Sequence, residues 1–249
     1  MDSWGLVIYG AAGFVTSILS GIAGAGGGFI MTPLGIFLGM SPAQSVSTGK
    51  FNGLAVTVGS LTGMKKVHGT VSRARVIPVM VLAFVIGLLA PLAIKALDNE
   101  AYRIALGIIL LLMIPVVILK KVGIHPHKPA AWKRIMGGVL LSVALALQGI
   151  FSGGLGSLVN IVLMGMLGMT ALEANLTKRW SQLILNTTIL LSVIGAGLII
   201  WSAVAVGIFT TFAGGYVGGR MAVHKGDEFI VRIMVILMAV SAIALIVGA

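Results

Sequence analysis

Cysteine is absent from this chain of 249 residues, which excludes disulfide bonds, thiolate metal ligands and thiol nucleophiles. Acidic residues are also scarce, and all of them fall near predicted termini or loops. The six are Asp2, Asp98, Glu100, Glu173, Asp227 and Glu228. Because no carboxylate lies deep inside a long apolar run, the sequence argues against a carboxylate proton relay and against a sodium site built from carboxylates.

Charge of either sign is rare, since only 9% of the residues are charged and 58% are hydrophobic. Soluble domains have about 25% charged residues. Long apolar runs recur at 5–22, 76–94, 104–119, 136–150, 183–221 and 233–247. A membrane-spanning helix needs about 20 such residues, so we predict an all-α integral membrane protein with the lipid bilayer as its solvent. The first run follows Asp2 without a basic flank, which predicts a retained helix rather than a cleaved signal peptide.

The formal net charge of +11 would suggest nucleic acid as a partner in a soluble protein, so the position of the basic residues decides between the two interpretations. Twelve of the seventeen lie in three loop clusters. These are Lys65, Lys66, Arg73 and Arg75; Lys120, Lys121, Lys128, Lys133 and Arg134; and Arg220, Lys225 and Arg232. Short basic loops are typical of the cytoplasmic side of a membrane protein. We therefore expect no nucleic-acid partner.

The two halves of the chain resemble each other. Segment 21–28 aligns with 149–156 at an offset of 128, and a one-residue insertion carries the match onward at an offset of 129. The later pairs are Gly39 and Gly168, Thr48 and Thr177, Lys50 and Arg179, Phe51 and Trp180, Asp98 and Asp227, and Arg103 and Arg232. This predicts a first membrane repeat over 1–119, a basic cytoplasmic linker over 120–134 and a second membrane repeat over 135–249.

The charges of matching loops predict that the two repeats are inverted. Loop 65–75 is strongly basic, whereas its counterpart at 195–201 has no charge. Conversely, 98–100 is acidic and its counterpart at 220–225 is basic. If basic loops face the cytoplasm, the second half is upside down. That requires an odd number of segments per half, so we predict five per half with both termini outside. Some of these segments are too short to cross alone, which gives about 8–10 membrane segments in all.

Glycine-rich segments interrupt the first apolar run of each half, at 21–28 and at 149–157. Glycine costs about 1 kcal/mol relative to alanine in a helix interior, so we predict helix breaks there. Paired breaks at membrane depth mark the central site of a transporter. The short helices beginning near Phe29 and Leu158 would present N-terminal N–H groups, which favour an anion. Close packing between helices is the alternative role for these glycines.

A polar stripe follows one face of the helix predicted over 171–196, with spacings of four, three and four residues. Its members are Asn175, Arg179, Gln182 and Asn186. The first half keeps a cation at the matching position, Lys50, with Thr48 and Asn52 nearby. A charge inside a span costs at least about 2.5–3.5 kcal/mol, and no carboxylate is at hand, so a bound anion is the predicted partner. Extension to the membrane interface is the alternative, considered for Lys178.

The predicted substrate site combines backbone N–H groups at the breaks with cations and polar side chains of both halves. Its residues are Gly26, Gly27, Gly28, Phe29, Thr48, Lys50, Asn52, Gly154, Gly156, Ser157, Asn175, Arg179 and Gln182. We predict no metal site, because His125 and His127 lack a third ligand, and no cofactor. No buried set of serine, histidine and acid is apparent, so an enzyme is the weaker class, as is a membrane scaffold.

Several motifs resemble the TauE/SafE family of sulfite-exporter-like permeases. They are Gly21-Ile-Ala-Gly-Ala-Gly-Gly-Gly-Phe-Ile-Met-Thr-Pro-Leu, Leu38-Gly-Met-Ser-Pro, Val46-Ser-Thr-Gly-Lys-Phe, the segment 149–156, Gly168-Met-Thr-Ala and Gly214-Gly-Tyr-Val-Gly-Gly-Arg. The resemblance covers nearly the whole chain. It implies a multi-pass protein of the cytoplasmic (inner) membrane that exports sulfite, thiosulfate, a sulfonate or a related small anion. An anion channel and a permease for a non-sulfur organic anion are the alternatives, and a homodimer is one of the oligomeric states left open.

Overall fold

Helices make up almost all of the described structure. The computed structural model describes residues 1–24, 27–96, 129–151 and 156–247. The helices are α1 Ser3–Ala23, α2 Gly27–Phe37, α3 Pro42–Gly63, a 3₁₀ turn Lys65–Thr70, α4 Arg73–Ala96, α5 Ala131–Phe151, α6 Gly156–Gly165, α7 Ala171–Val193 and α8 Trp201–Val247. Helix α8 is interrupted at Gly226, whose φ is 75°. These segments contain no β-strand, and the predicted all-α class is confirmed.

Four helices of the described segments are long and apolar enough to cross a membrane. They span Ser3–Ala23, Arg73–Ala93, Ala131–Ile150 and Trp201–Met234. Helices α3 and α7 are of similar length, 22 and 23 residues, but they carry the polar and cationic side chains of the predicted site. Helices α2 and α6 have 11 and 10 residues and are too short to cross alone. The predicted segment at 104–119 lies outside the described residues.

The helix bounds follow the repeat found in the sequence. The first and last residues of α5 lie 128 positions after those of α1. The first residue of α6 lies 129 positions after that of α2, and the first residue of α7 lies 129 positions after that of α3. The caps repeat as well. Ser41 with Gln44 and Thr170 with Glu173 each form a capping box, in which the side chains and backbone N–H groups bond reciprocally. The same local chemistry therefore starts the third helix of each half.

Contacts at the ends of α3 and α7 establish that these equivalent helices run in opposite directions. Near the start of α3, Thr48 Oγ1 accepts a 3.0 Å hydrogen bond from Ile200 N, which follows the end of α7. At the start of α7, Glu173 lies 3.6 Å from the guanidinium of Arg75, which follows the end of α3. Antiparallel equivalent helices are what an inverted repeat produces, as the loop charges predict.

The basic loops of the two halves meet at one end of the bundle. A groove there is lined by Lys65 and Lys66 from the 3₁₀ turn and by Arg220 and His224 from α8. Arg220 follows Trp201, the first residue of α8, by roughly the 20 residues that a helix needs to cross a bilayer. This common basic face is the arrangement expected of a cytoplasmic surface.

The linker ends earlier than predicted. Residues 120–128 lie outside the described residues, but α5 begins at Ala131, so 131–134 belong to a helix rather than to a loop. Lys133 and Arg134 are compatible with a helix start in a membrane because their long side chains extend from the helix end to the polar interface. The remaining boundaries of the two repeats stay a prediction.

The helices next to the glycine clusters extend further into the clusters than predicted. Helix α1 continues through Gly21 and ends only at Gly24, whose φ of 67° and N–H bond to Ser20 O form a left-handed cap. Gly21 instead packs against α8, since a Cβ atom placed on it would lie 2.8 Å from Gly215 O. For Gly21 the alternative of close helix packing is therefore the correct one. The short helices begin at Gly27 and Gly156, two residues before the predicted starts.

Candidate functional site

A polar cavity of about 80 Å³ lies among helices α1, α2, α3, α5, α7 and α8. Hydroxyl and amide side chains make up most of its lining. They are Tyr9, Thr16, Ser17, Ser20, Thr32, Ser45, Asn52, Gln148, Gln182, Asn186 and Thr211. One water molecule needs roughly 10–15 Å³ of such space. The cavity therefore has room for several water molecules, or for one small oxyanion.

Lys50 is the cation of this cavity, and it is only 2% exposed. Its Nζ donates a 2.8 Å hydrogen bond to the backbone carbonyl of Gln148. An ammonium group has three donors, so two remain for a ligand. No acidic residue is among the described residues that line the cavity. The positive charge of Lys50 is thus buried without a carboxylate partner.

Three further residues of the predicted site line the same cavity: Gly28, Asn52 and Gln182. Gly28 lies in the first turn of α2, so the positive end of that helix dipole faces the cavity. Asn52 donates from Nδ2 to Tyr9 Oη at 3.1 Å, which fixes the Asn52 side chain against α1. The cavity therefore brings a helix N-terminus, a cation and amide groups together, as predicted for an anion site.

Asn175 and Arg179 lie elsewhere, against the last turn of α1. Asn175 Nδ2 donates to Ile22 O at 2.8 Å, and Arg179 Nη2 donates to Ser20 O. Two side chains that the sequence analysis did not assign to the site join them. Asn160 Nδ2 donates to Ala23 O at 2.8 Å, and Lys178 Nζ donates to Gly24 O. The two asparagines thus satisfy carbonyls that a helix C-terminus leaves without intrahelical partners, whereas Arg179 adds a second donor to Ser20 O, which already accepts from Gly24 N.

The remaining predicted residues divide between the helix starts and the segments not described. Gly26 and Gly154 lie outside the described residues. Gly27 and Phe29 belong to the first turn of α2, and Gly156 and Ser157 open α6. Thr48 is buried, and its hydroxyl oxygen accepts a hydrogen bond from Ile200 N. Thr48 therefore positions the start of α8 and does not line the cavity.

The two cations at matching positions of the repeat make matching bonds. Lys50 and Arg179 occupy the same position in helices that begin at Pro42 and Ala171. Lys50 donates to a carbonyl near the end of α5, and Arg179 to the equivalent carbonyl of α1, since Ser20 and Gln148 correspond at the offset of 128. Each half therefore donates a cationic hydrogen bond to a carbonyl near the C-terminal end of a helix in the other half.

Arg179 stands directly behind the α1 wall of the cavity, because Ser20, whose carbonyl it binds, lines that wall. Its Nε and Nη1 atoms find no acceptor in the part of the chain that the structure describes. The guanidinium therefore adds positive potential beside the cavity. It does so from a position that also completes the end of α1.

The sequence analysis missed the hydroxyl groups that α1 contributes. Thr16, Ser17 and Ser20 lie on one turn of an otherwise apolar helix and all line the cavity. Their spacing of one, three and four residues places them on a common face, which is the signal that would have found them. Gln148 is signalled in the same way, as the polar counterpart of Ser20 in the second half.

Replacing Arg179 with methionine is expected to lower the free energy of unfolding by about 1–3 kcal/mol, because the carbonyl of Ser20 loses its charge-assisted hydrogen bond and keeps only the one from Gly24 N. Thermal unfolding of the detergent-solubilised variant measures the effect. Arg220→Met is the matched control, since Arg220 is exposed on α8 and surface interactions of this kind contribute little. Equal unfolding temperatures for the two variants would contradict the capping role of Arg179.

Comparison with known proteins supplies the family. The profile described as Sulfite exporter TauE/SafE matches residues 9–245, nearly the whole chain. No curated protein and no solved structure matches the chain. The match extends across both halves and includes every residue that lines the cavity. The resemblance predicted from the glycine motifs is thus confirmed, and the chain belongs to the sulfite exporter TauE/SafE family of membrane transporters.

Proposed function

We propose that this protein exports sulfite, or a closely related small sulfur-containing anion such as a sulfonate, across the cytoplasmic membrane. The observation that supports this most directly is the burial of Lys50 in a polar cavity without a carboxylate. A buried charge is costly unless it is paired and hydrogen-bonded. An anion in the cavity would supply the missing negative charge.

The neighbours of Lys50 suit the oxygens of such an anion. Hydroxyl groups of Ser17 and Thr32 and the amide groups of Gln182 and Asn186 line the cavity. Each can donate a hydrogen bond to an oxyanion, and bonds to a charged acceptor are about twice as strong as neutral ones. The start of α2 adds backbone N–H groups and positive partial charge.

The membrane potential favours outward movement of an anion. The inside-negative potential contributes about 2.3 kcal/mol per charge at 100 mV, which corresponds to a roughly fiftyfold bias. Export therefore needs no coupling ion, and the absence of acidic residues from the described cavity lining agrees with this. We propose that movement of the two inverted halves against each other exposes the cavity to each side in turn.

Flux of radiolabelled sulfite in proteoliposomes tests this function, with and without an imposed potential, against sulfate, thiosulfate and small sulfonates. The expected result is saturable sulfite or sulfonate flux that increases when the potential drives anions away from the protein's cytoplasmic side. Flux that does not saturate would favour an anion channel. Absence of flux with all these anions, in folded protein, would overturn the proposal and direct attention to a non-sulfur organic anion.

A further inference from the structure

The two pseudo-equivalent helix N-termini at the breaks have different surroundings. Gly28, at the start of α2, lines the polar cavity. At the start of α6, by contrast, a Cβ atom placed on Gly156 would lie 2.6 Å from Lys178 Nζ and 2.8 Å from Lys178 Cε. The end of the lysine side chain therefore covers the first residue of α6. An anion cannot approach that position without displacing Lys178.

A buried hydrogen bond holds the Lys178 side chain in this position, away from the membrane interface. It is 2% exposed, and its Nζ donates to Gly24 O at the end of α1. The alternative that Lys178 extends to the membrane interface is therefore not correct, because the carbonyl of Gly24 provides a buried partner. The ammonium group thus joins the C-terminus of α1 to the start of α6.

Glycine occupies the matching position of the first half. Gly49 corresponds to Lys178 at the offset of 129, in the same register that pairs Lys50 with Arg179. Gly49 lines the cavity, and a Cβ atom placed on it would meet nothing within 4 Å. The space that a lysine fills in the second half is therefore empty in the first half, next to the start of α2.

Six of the seven hydroxyl side chains that line the cavity lie in the first half of the chain, and Thr211 of α8 is the seventh. Thr16 and Ser17 correspond to Ala144 and Leu145 at the offset of 128, and both counterparts are buried apolar residues. Ser45 likewise corresponds to the buried Ala174 at the offset of 129. Thr16 and Ser45 donate to backbone carbonyls, which leaves the hydroxyl of Ser17 as a donor for an oxyanion. None of these three hydroxyl groups has a polar equivalent at the matching position of the second half.

We infer that the protein binds one anion per chain, in the cavity between Lys50, Gly49 and the start of α2, and that Lys178 fills the counterpart position at the start of α6. This rests on the proposed anion transport. It adds that the site is asymmetric although the two halves have the same fold. Lys178 is a buried cation that links the two halves. Gly49 has no side chain, which leaves space for the transported anion.

Equilibrium dialysis of purified protein with radiolabelled sulfite counts the bound anions. We expect one per chain in the wild type. Gly49→Leu, which fills the cavity without adding charge, is expected to weaken binding at least tenfold. Gly138→Leu is the matched control, because a Cβ atom on Gly138 also meets nothing within 4 Å but the residue does not line the cavity. Its binding should equal that of the wild type.

The outcomes separate this inference from the function on which it rests. Two anions per wild-type chain, or wild-type affinity in Gly49→Leu, would overturn the asymmetric site while leaving anion transport in place. No bound anion in the wild type would overturn both. Lys178→Met provides a further check on folded protein. It is expected to keep one anion at nearly unchanged affinity, whereas a tenfold loss would make Lys178 a ligand and reject its assigned role.

Discussion

Anion flux is expected to fall about 100-fold when Lys50 is replaced with methionine. Methionine keeps most of the length of the side chain and removes the ammonium group that faces the cavity. The lost hydrogen bond to a charged ligand accounts for about 3 kcal/mol, and each 1.4 kcal/mol corresponds to a factor of about ten in binding. Initial rates of sulfite flux at subsaturating concentration, in proteoliposomes matched for protein content, measure the change.

Two further variants separate the charge of Lys50 from its structural bond to Gln148 O. Lys50→Arg keeps the charge and is expected to retain part of the flux. Lys65→Met removes a cation from the exposed basic groove and should leave the flux within about twofold of the wild type, since exposed charges are screened by salt. A Lys50→Met protein that is folded and transports at the wild-type rate would show that Lys50 does not bind the anion.

Replacing Gly21 with leucine is expected to abolish the folded protein. A Cβ atom on Gly21 would lie 2.8 Å from Gly215 O and 2.9 Å from Gly218 Cα, which are backbone atoms of α8 and cannot rotate away. Helices in membranes associate through close approach at small residues, and overpacking a well-packed contact costs about 1–3 kcal/mol or more. Loss of the monodisperse peak in size-exclusion chromatography of solubilised protein is the readout.

Gly138→Leu again serves as the control, because it places the same side chain on a transmembrane helix where a Cβ atom has open space. This variant should retain the yield and the elution volume of the wild type. If the Gly21→Leu protein has the yield and the unfolding temperature of the wild type, then moving α1 away from α8 does not lower the free energy of unfolding. The close contact of these two helices would then not be a determinant of the fold.

Helix positions and the repeat were predictable because both depend on local sequence. The apolar runs locate the helices. The match between Lys50 and Arg179 locates the buried cations. Burial of Lys50 in a cavity agrees with the expectation that a charge inside a span has a specific partner. The sequence does not state how far each glycine cluster interrupts its helix, since that depends on whether a neighbouring helix covers the glycines.

The polar stripe of α7 shows that residue spacing does not predict which partners the side chains contact. Asn175 and Asn186 share a face but are separated by three helical turns, which is about 16 Å along a helix. Over that distance the face meets different partners. Asn175 and Arg179 reach the end of α1, whereas Gln182 and Asn186 line the cavity. Periodicity assigns residues to a face, but only the three-dimensional packing decides what each one contacts.

The hydrogen bonds that the second half donates to the end of α1 have a consequence for biosynthesis. The carbonyls of Ile22 and Ala23, the last two residues of α1, receive their donors from side chains of α7 and α6, in the second half of the chain. While the ribosome is still making the linker, the nascent α1 is in the bilayer with those carbonyls lacking their final partners. The first half therefore cannot reach its mature structure during its own insertion, and its completion waits until α7 has been translated and enters beside it.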